Sequence, residues 1–506
     1  MDLLANLALG LSTAFAPENL LYCFIGVLLG TLVGVLPGLG PTATTAMLLP
    51  ITFALEPTPA LIMLAGIYYG AQYGGSTTAI LINMPGESSS AVTSVDGYQM
   101  ARQGRAGPAL AAAAIGSFFA GTVATFLIAL FAPPLTTIAL EFGPPEYFSL
   151  VVLGLVSSVA LAHGSVLKAI AMIVLGLLLG VVGTDIYTGT PRFTLDQLEL
   201  ADGINFVAVA AGVFGVAEIL RNMETEHTRE PIIAKVAGLM PTRDDLRRMI
   251  APVLRGTFIG SALGILPGGG AILSSFAAYT IEKRISKHPE KFGKGAIEGV
   301  AAPESANNAG AQTSFIPMLT LGIPANPVMA LMIGAMIIQG IVPGPNVSRE
   351  QPELFWGVIA SMWVGNLMLV ILNLPLIGIW VRLLRIPYRA LFPAILAFAS
   401  IGVWSVNSNP FDLYAIALFG ALGWVLLKLD CEPAPLLLGF VLGPLLEEHL
   451  RRAMIISRGD PTIFVNFAER PISAILLMLS AIALVIVFLP AIAKKREEVF
   501  EESDPV

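Results

Sequence analysis

The sequence predicts an all-α polytopic membrane protein built from two inverted-topology repeats. Three observations carry that prediction. Of the 506 residues, 55% are hydrophobic and only 12% are charged, against about 25% charged in an ordinary soluble domain. Apolar runs of roughly 17–25 residues, long enough to cross a bilayer as helices, recur from end to end. One short motif occurs twice, with the same order of residues, at a fixed separation.

That motif sets the frame. Gly34-Val35-Leu36-Pro37-Gly38-Leu39-Gly40 matches Gly264-Ile265-Leu266-Pro267-Gly268-Gly269-Gly270 at a constant offset of 230 residues. Proline and glycine together break the helical ladder, so 18–55 and 252–281 each read as a hairpin whose tip lies within the membrane. A Gly- and hydroxyl-rich stretch follows each hairpin, Gly70–Thr78 in the first copy and Asn307–Ser314 in the second.

Taken in order, the spans of the first copy fall near 58–82, 107–132, 147–163, 166–183 and 203–220. Those of the second fall near 300–322, 354–376, 390–407, 411–428 and 433–448, with one more at 471–493. About eleven full spans plus two hairpins result. The organisation is a first repeat over 1–220, a cytoplasmic linker over 221–251, a second repeat over 252–448, and an extra span with a cytoplasmic tail over 449–506. The topology of 83–106 and 325–342 stays open. Five crossings separate the hairpins, so the second enters from the opposite side.

Charge placement agrees with that parity. The segment 221–255 carries seven Lys or Arg and 283–294 carries five, whereas the feet of the first hairpin hold Asp2, Glu18 and Glu56 and no cation. By the positive-inside rule the second hairpin has cytoplasmic feet and the first has outer ones. The alternation leaves every Lys and Arg inside except Arg192, Arg349, Arg451, Arg452, Arg458 and Arg470. The first cation in the chain is Arg102, so no cleavable signal is expected, because such signals need a positive start.

Several function classes drop out. A net charge of −7 argues against nucleic-acid binding. The two cysteines, Cys23 and Cys431, are too few for a disulfide framework or a Cys-rich metal site. His163, His227, His288 and His449 are dispersed, and no metalloprotease, Cys-x-x-Cys or nucleotide-binding motif occurs. An enzyme is not expected. No catalytic residue is assigned.

A broken helix inside lipid is tolerated where protein or a water-filled cavity satisfies its backbone. The helix restarting after each tip aims an amino-terminus, the positive end of its dipole, into that cavity. The substrate-binding candidates are therefore Gly38, Gly40, Thr42 and Thr44 with Ser76, Thr77 and Thr78 in the first copy. In the second they are Gly268, Gly269, Gly270, Ser274 and Ser275 with Asn307, Asn308, Gln312 and Thr313. The coupling-ion candidates are Glu304, Asn307, Thr45 and Ser314. Hydroxyls in membrane helices also commonly bond back to their own turn, and Glu304 has an alternative as a solvated interfacial acid. Gly116, by contrast, lies in a span read as scaffold. No Lys or Arg occurs in 30–87, 260–280 or 303–327. A polyanion bound there would be held by helix ends, amides, hydroxyls and co-bound cations.

Four stretches carry a resemblance. At Gly34–Pro41, Tyr69–Ser76, Pro303–Ala309 and Leu321–Pro324 the chain resembles the large membrane subunit of the tripartite tricarboxylate transporters, over nearly its whole length. That resemblance implies a multi-pass protein of the bacterial inner membrane importing a tricarboxylate or related organic acid by symport. Sodium is the implied coupling cation, with protons as the alternative, and no cofactor besides it. The implied partners are a small membrane subunit and a periplasmic solute-binding protein. An ion-independent carboxylate channel or exporter of the same fold is the other reading. Which carboxylate, which stoichiometry, which oligomeric state, and whether the motion is elevator-like or rocking are left open.

Overall fold

The structure is a computed structural model, and it describes residues 3–36, 39–161, 165–224, 236, 238–266, 270–384 and 388–488. Pro37, Gly38, Pro267, Gly268 and Gly269 at the two tips, with His163, His227 and the basic tail from Lys494, lie outside the described residues. Nearly everything else is helical. The strand content among the described residues is one two-residue pairing, Gly183–Thr184 with Pro191–Arg192.

Among the described residues, six helices are both long and apolar enough to cross a membrane: Pro17–Gly34, Ala106–Ala139, Phe206–Glu224, Pro352–Asn373, Pro410–Lys428 and Pro471–Phe488. Leu3–Ala14, Val166–Gly180 and Pro327–Ile338 are shorter apolar helices. The protein is a multi-pass membrane protein on these grounds. Pro57–Ile82 and Glu298–Thr313 are buried along almost their whole length. They form the centre.

Glycine spacing explains how that centre packs. Gly26, Gly30 and Gly34 recur every fourth residue on Pro17–Gly34, and each lies against the backbone of Met63, Ile67 and Ala71 on Pro57–Ile82. A methyl group at any of them would overlap that backbone. Gly256, Gly260 and Gly264, each 230 residues further on, lie in the same way against Ala302, Ala306 and Gly310 of Glu298–Thr313. Small residues at this spacing let two membrane helices approach to backbone contact. Each hairpin is thereby fastened by its first arm to the motif helix that follows it.

Several boundaries differ from the sequence reading, for local reasons. The 300–322 stretch is two helices, Glu298–Thr313 and Phe315–Leu321, because Pro317 removes one amide and crowds the carbonyl of Thr313. The second arm of the first hairpin is only Pro41–Leu48, followed by a 3-10 turn over Leu49–Ala54 that contains Pro50. Its counterpart, Gly270–Ile285, runs on unbroken. The 107–132 span extends to Ala139 despite Pro133 and Pro134. The open stretches 83–106 and 325–342 contain helices Ala91–Arg102 and Pro327–Ile338, twelve residues each. Phe206–Glu224 contains a π-helical turn over Ala211–Val216, where Gly215 meets Met47 of the first hairpin.

Ion pairs gather the loops into two groups. Arg470–Glu146, Arg451–Asp185 and Arg192–Glu447 tie together 143–146, 183–192 and 447–470. Arg105–Asp245, Arg248–Glu298 and Lys428–Glu224 tie together the loops around 105, 224, 245, 298 and 428. No recorded ion pair among the described residues joins one group to the other.

Candidate functional site

The site begins where each motif helix stops. Pro57–Ile82 ends on Asn83 and Phe315–Leu321 on Gly322, both in the left-handed conformation. That conformation turns the chain sharply, and asparagine and glycine are the residues that adopt it most readily. Each turn leads into a short loop, Met84-Pro85-Gly86-Glu87 in one copy and Ile323-Pro324-Ala325-Asn326 in the other. Glu87 and Asn326 occupy corresponding positions 239 residues apart, and both are buried.

Each loop touches the restart of its own hairpin. A Cβ on Gly40 would lie 3.7 Å from the Gly86 carbonyl oxygen and 3.9 Å from Glu87 Cβ, and one on Gly270 would lie 3.6 Å from Asn326 Cβ. Each loop also reaches across to the opposite motif helix. Asn307 Nδ2 donates to Glu87 Oε1 at 2.9 Å, and Asn326 Nδ2 donates to the Tyr68 hydroxyl at 3.3 Å. Tyr68 and Asn307 are themselves 239 residues apart, so the two bonds exchange partners between copies. A second exchange lies deeper. Tyr73 donates its hydroxyl proton to Asn366 Oδ1 at 2.9 Å, and Thr125, whose proton goes to the Gly121 carbonyl at 2.8 Å, stands 3.4 Å from Gln312 Oε1. Tyr73 and Gln312 again differ by 239, and Thr125 and Asn366 by 241.

Glu304 is buried, at 1% exposure, which overturns the interfacial, solvated alternative. Its Oε2 accepts from Ser76 at 2.7 Å and its Oε1 from Thr93, and the Ser117 hydroxyl is a third donor beside it. Asn308, one turn along, donates to Ser117 at 2.7 Å. Neither Glu304 nor Glu87 has a recorded ion pair to a Lys, Arg or His among the described residues. Two buried carboxylates thus share a region free of cationic side chains, and a carboxylate at membrane depth ordinarily has a partner or lines a pathway.

The predicted polar residues divide. Ser76, Asn307 and Asn308 make the contacts just described, and Gln312 joins Thr125. Thr44, Thr78, Ser274, Ser275, Thr313 and Ser314 donate to carbonyls of their own turns, at Gly40, Gly75, Gly270, Ala271, Ala309 and Ala311. Thr77 does the same to Tyr73. Their oxygens keep lone pairs, but their protons are committed. Thr42 is half-buried. Thr45 Oγ1 and Asn307 Oδ1 are buried without a hydrogen-bond partner in the structure, as acceptors awaiting a water, cation or ligand would be. Gly116 is not neutral scaffold: a Cβ there would meet Ser305 Oγ at 2.8 Å, on the Glu304 helix.

Sequence reasoning missed Glu87, Asn326, Tyr68, Thr93 and Ser117. The readable signal was the repeated X-Pro-small pattern of 84–87 and 323–326, displaced by nine residues from the offset of the tips.

Comparison with known proteins places this geometry. Residues 20–438 match the family described as the tripartite tricarboxylate transporter TctA family. An uncharacterized 52.8 kDa protein in the TAR-I ttuC' 3' region of Agrobacterium vitis is 68% identical over 504 residues, covering all of both chains. An uncharacterized protein in the TAR-II ttuC' 3' region of the same organism is 68% identical over 245 residues, which is all of that protein and 48% of this chain. No solved structure matches.

Proposed function

The chain belongs to the tripartite tricarboxylate transporter TctA family, and from that premise we propose that it is the large permease subunit of a secondary importer for a tricarboxylate or related organic acid. A sodium gradient, or a proton gradient in its place, drives the uptake. The subunit works in a bacterial inner membrane with a small membrane subunit and a periplasmic solute-binding protein that delivers the substrate. The two repeats have inverted topology, with the first hairpin entered from outside and the second from the cytoplasm.

One observation carries the reading. Two restarted helices, two Pro-containing loops and two motif helices close on one another through exchanged bonds, Asn307 to Glu87 and Asn326 to Tyr68. Inverted repeats that meet at a shared midplane site make this kind of reciprocal contact. The first-turn amides of Thr42 and Ala43, and of Ala271 and Ile272, have no intrahelical carbonyl to bond. They are suited to a substrate carboxylate. Two helix ends supply about one unit of positive charge together, less than a trianion requires, and the buried carboxylates nearby add to the deficit. Co-bound cations close that gap, which makes ion coupling a structural requirement of the site. The grouping of the ion-paired loops supports the alternation, since each pair joins loops assigned to one side.

The test is uptake by proteoliposomes holding this chain and its small subunit, with the binding protein supplied. Labelled tricarboxylate should enter and be displaced by unlabelled di- and tricarboxylates but not by neutral analogues. Entry of neutral analogues at equal rates would overturn the reading.

A further inference from the structure

A small cavity lies against Glu304, between the motif helices and Pro352–Asn373. It has room for the centre of one water-sized species, about 10 Å³, close to the minimum for a single water. Its polar walls are Tyr73, Ser76, Thr77, Ser117, Glu304 and Asn373, and Ile80 and Leu110 are among the apolar residues that complete it. We propose that this cavity is a binding site for one desolvated monovalent cation, held by Glu304, Thr77, Ser117 and Asn373. It rests on the transporter reading and supplies the location of its coupling ion.

The hydroxyl protons around the cavity are already committed. Ser76 and Ser117 donate to Glu304, Thr77 donates to the Tyr73 carbonyl, and Ser117 also accepts from Asn308. What these hydroxyls have left for the cavity is chiefly oxygen lone pairs. Asn373 adds an independent sign. It is 4% exposed, its Nδ2 donates to the Leu369 carbonyl at 2.9 Å, and its Oδ1 has no partner. A buried carbonyl oxygen without a donor costs free energy unless something fills the place.

Charge selects the occupant. The wall holds one carboxylate and no Lys, Arg or His. One monovalent cation neutralises Glu304, whereas a divalent ion would leave a net positive charge in a low-dielectric surround. Oxygen-only walls suit a hard cation over a soft one. Neither Thr77 nor Ser117 belongs to a hairpin tip, and Asn373 closes Pro352–Asn373 far along the chain. Filling the cavity therefore ties three segments to the Glu304 helix before any substrate arrives.

The test is equilibrium binding of radioactive sodium to the purified protein in detergent, without substrate, with potassium as the size comparator. Wild type should bind about one sodium per chain, and potassium should compete weakly. Asn373→Leu keeps the branched outline and removes the oxygen, and Thr77→Val removes the hydroxyl. Each should weaken binding about tenfold or more, as loss of one contact to a charge implies. Asn373→Asp keeps an oxygen and should stay within about threefold of wild type or tighter, separating ligand loss from misfolding. Equal affinity in all four proteins, or equal loss in Asn373→Leu and Asn373→Asp, would overturn the site. A wild type that binds no sodium yet takes up tricarboxylate would overturn the site and leave the transporter reading standing. Sodium binding of the expected pattern in a protein that moves no carboxylate would do the reverse.

Discussion

Replacing Gly40 with alanine separates a ligand site from a packing constraint. Gly40 has φ −69° and ψ 172°, which alanine adopts freely. Its new methyl would lie 3.7 Å from the Gly86 carbonyl and 3.9 Å from Glu87 Cβ, ordinary van der Waals contact. Folding should therefore change by no more than about 0.5 kcal/mol. In the proposed site the same methyl would stand where a substrate carboxylate has to approach the amides of Thr42 and Ala43. Hydrogen bonds to a charged group are worth about 1.5–3 kcal/mol, so losing one should lower kcat/KM roughly 10- to 150-fold. Gly270→Ala is less clean, because φ +37° there strains any side chain. Gly116→Ala is no control, since it presses on Ser305, whereas a Cβ at Gly378 meets nothing within 4 Å. The assay is initial uptake rate against substrate concentration in proteoliposomes, normalised to folded protein by size-exclusion chromatography. Gly40→Ala transport within twofold of Gly378→Ala would refute the claim that the substrate contacts this helix end.

Three further predictions follow from other parts of the molecule. Glu304→Gln should weaken the apparent sodium affinity of uptake at least tenfold while folded yield stays within twofold, and unchanged ion dependence would remove Glu304 from coupling. Single cysteines at Glu56 and Lys287, both exposed, should react with an impermeant maleimide from opposite sides of the membrane; reaction of both from one side would end the inverted arrangement. Asp185 is held down to about 2 from an ordinary 3.8, first by the Tyr187 amide and then by Arg451. A depressed carboxyl contributes stability that is present above about pH 4 and lost as pH falls towards 2. Pepsin cleavage within 183–200 should rise across that window in wild type. It should already be high at pH 4 in Arg451→Gln, and equal cleavage of the two proteins at pH 4 would count against the clamp.

Much of the fold was legible because its decisive positions are glycines and prolines, whose conformational demands do not depend on context. The two tips announce themselves at an offset of 230 residues, and the Gly- and hydroxyl-rich stretches that become the buried motif helices follow each of them. The site was only half legible. Glu87 faces Asn307 and Asn326 faces Tyr68, so corresponding positions carry different side chains. The nine extra residues after the second tip also shift the register between copies. Hydroxyl chemistry was the other limit: Thr44, Ser274 and Ser275 look like ligands by type, yet a helical carbonyl four residues back is always within reach of such a side chain. Glu304 could not be placed from the sequence because Pro303 suggested a loop, whereas here the proline lies inside the helix Glu298–Thr313, which forgoes one amide bond to the Gly299 carbonyl and continues.

The central claim, that an ion gradient drives carboxylate uphill through this subunit, has a direct measurement. Proteoliposomes carrying the chain, its small subunit and the binding protein are loaded with equal labelled tricarboxylate inside and out, and a sodium gradient directed inward is then imposed. In a parallel preparation a proton gradient replaces it. The account predicts net accumulation of label above the outside concentration, collapsing when an ionophore dissipates the driving gradient. Label that stays at equal concentrations under both gradients, while exchanging freely across the membrane, would contradict it and describe a channel.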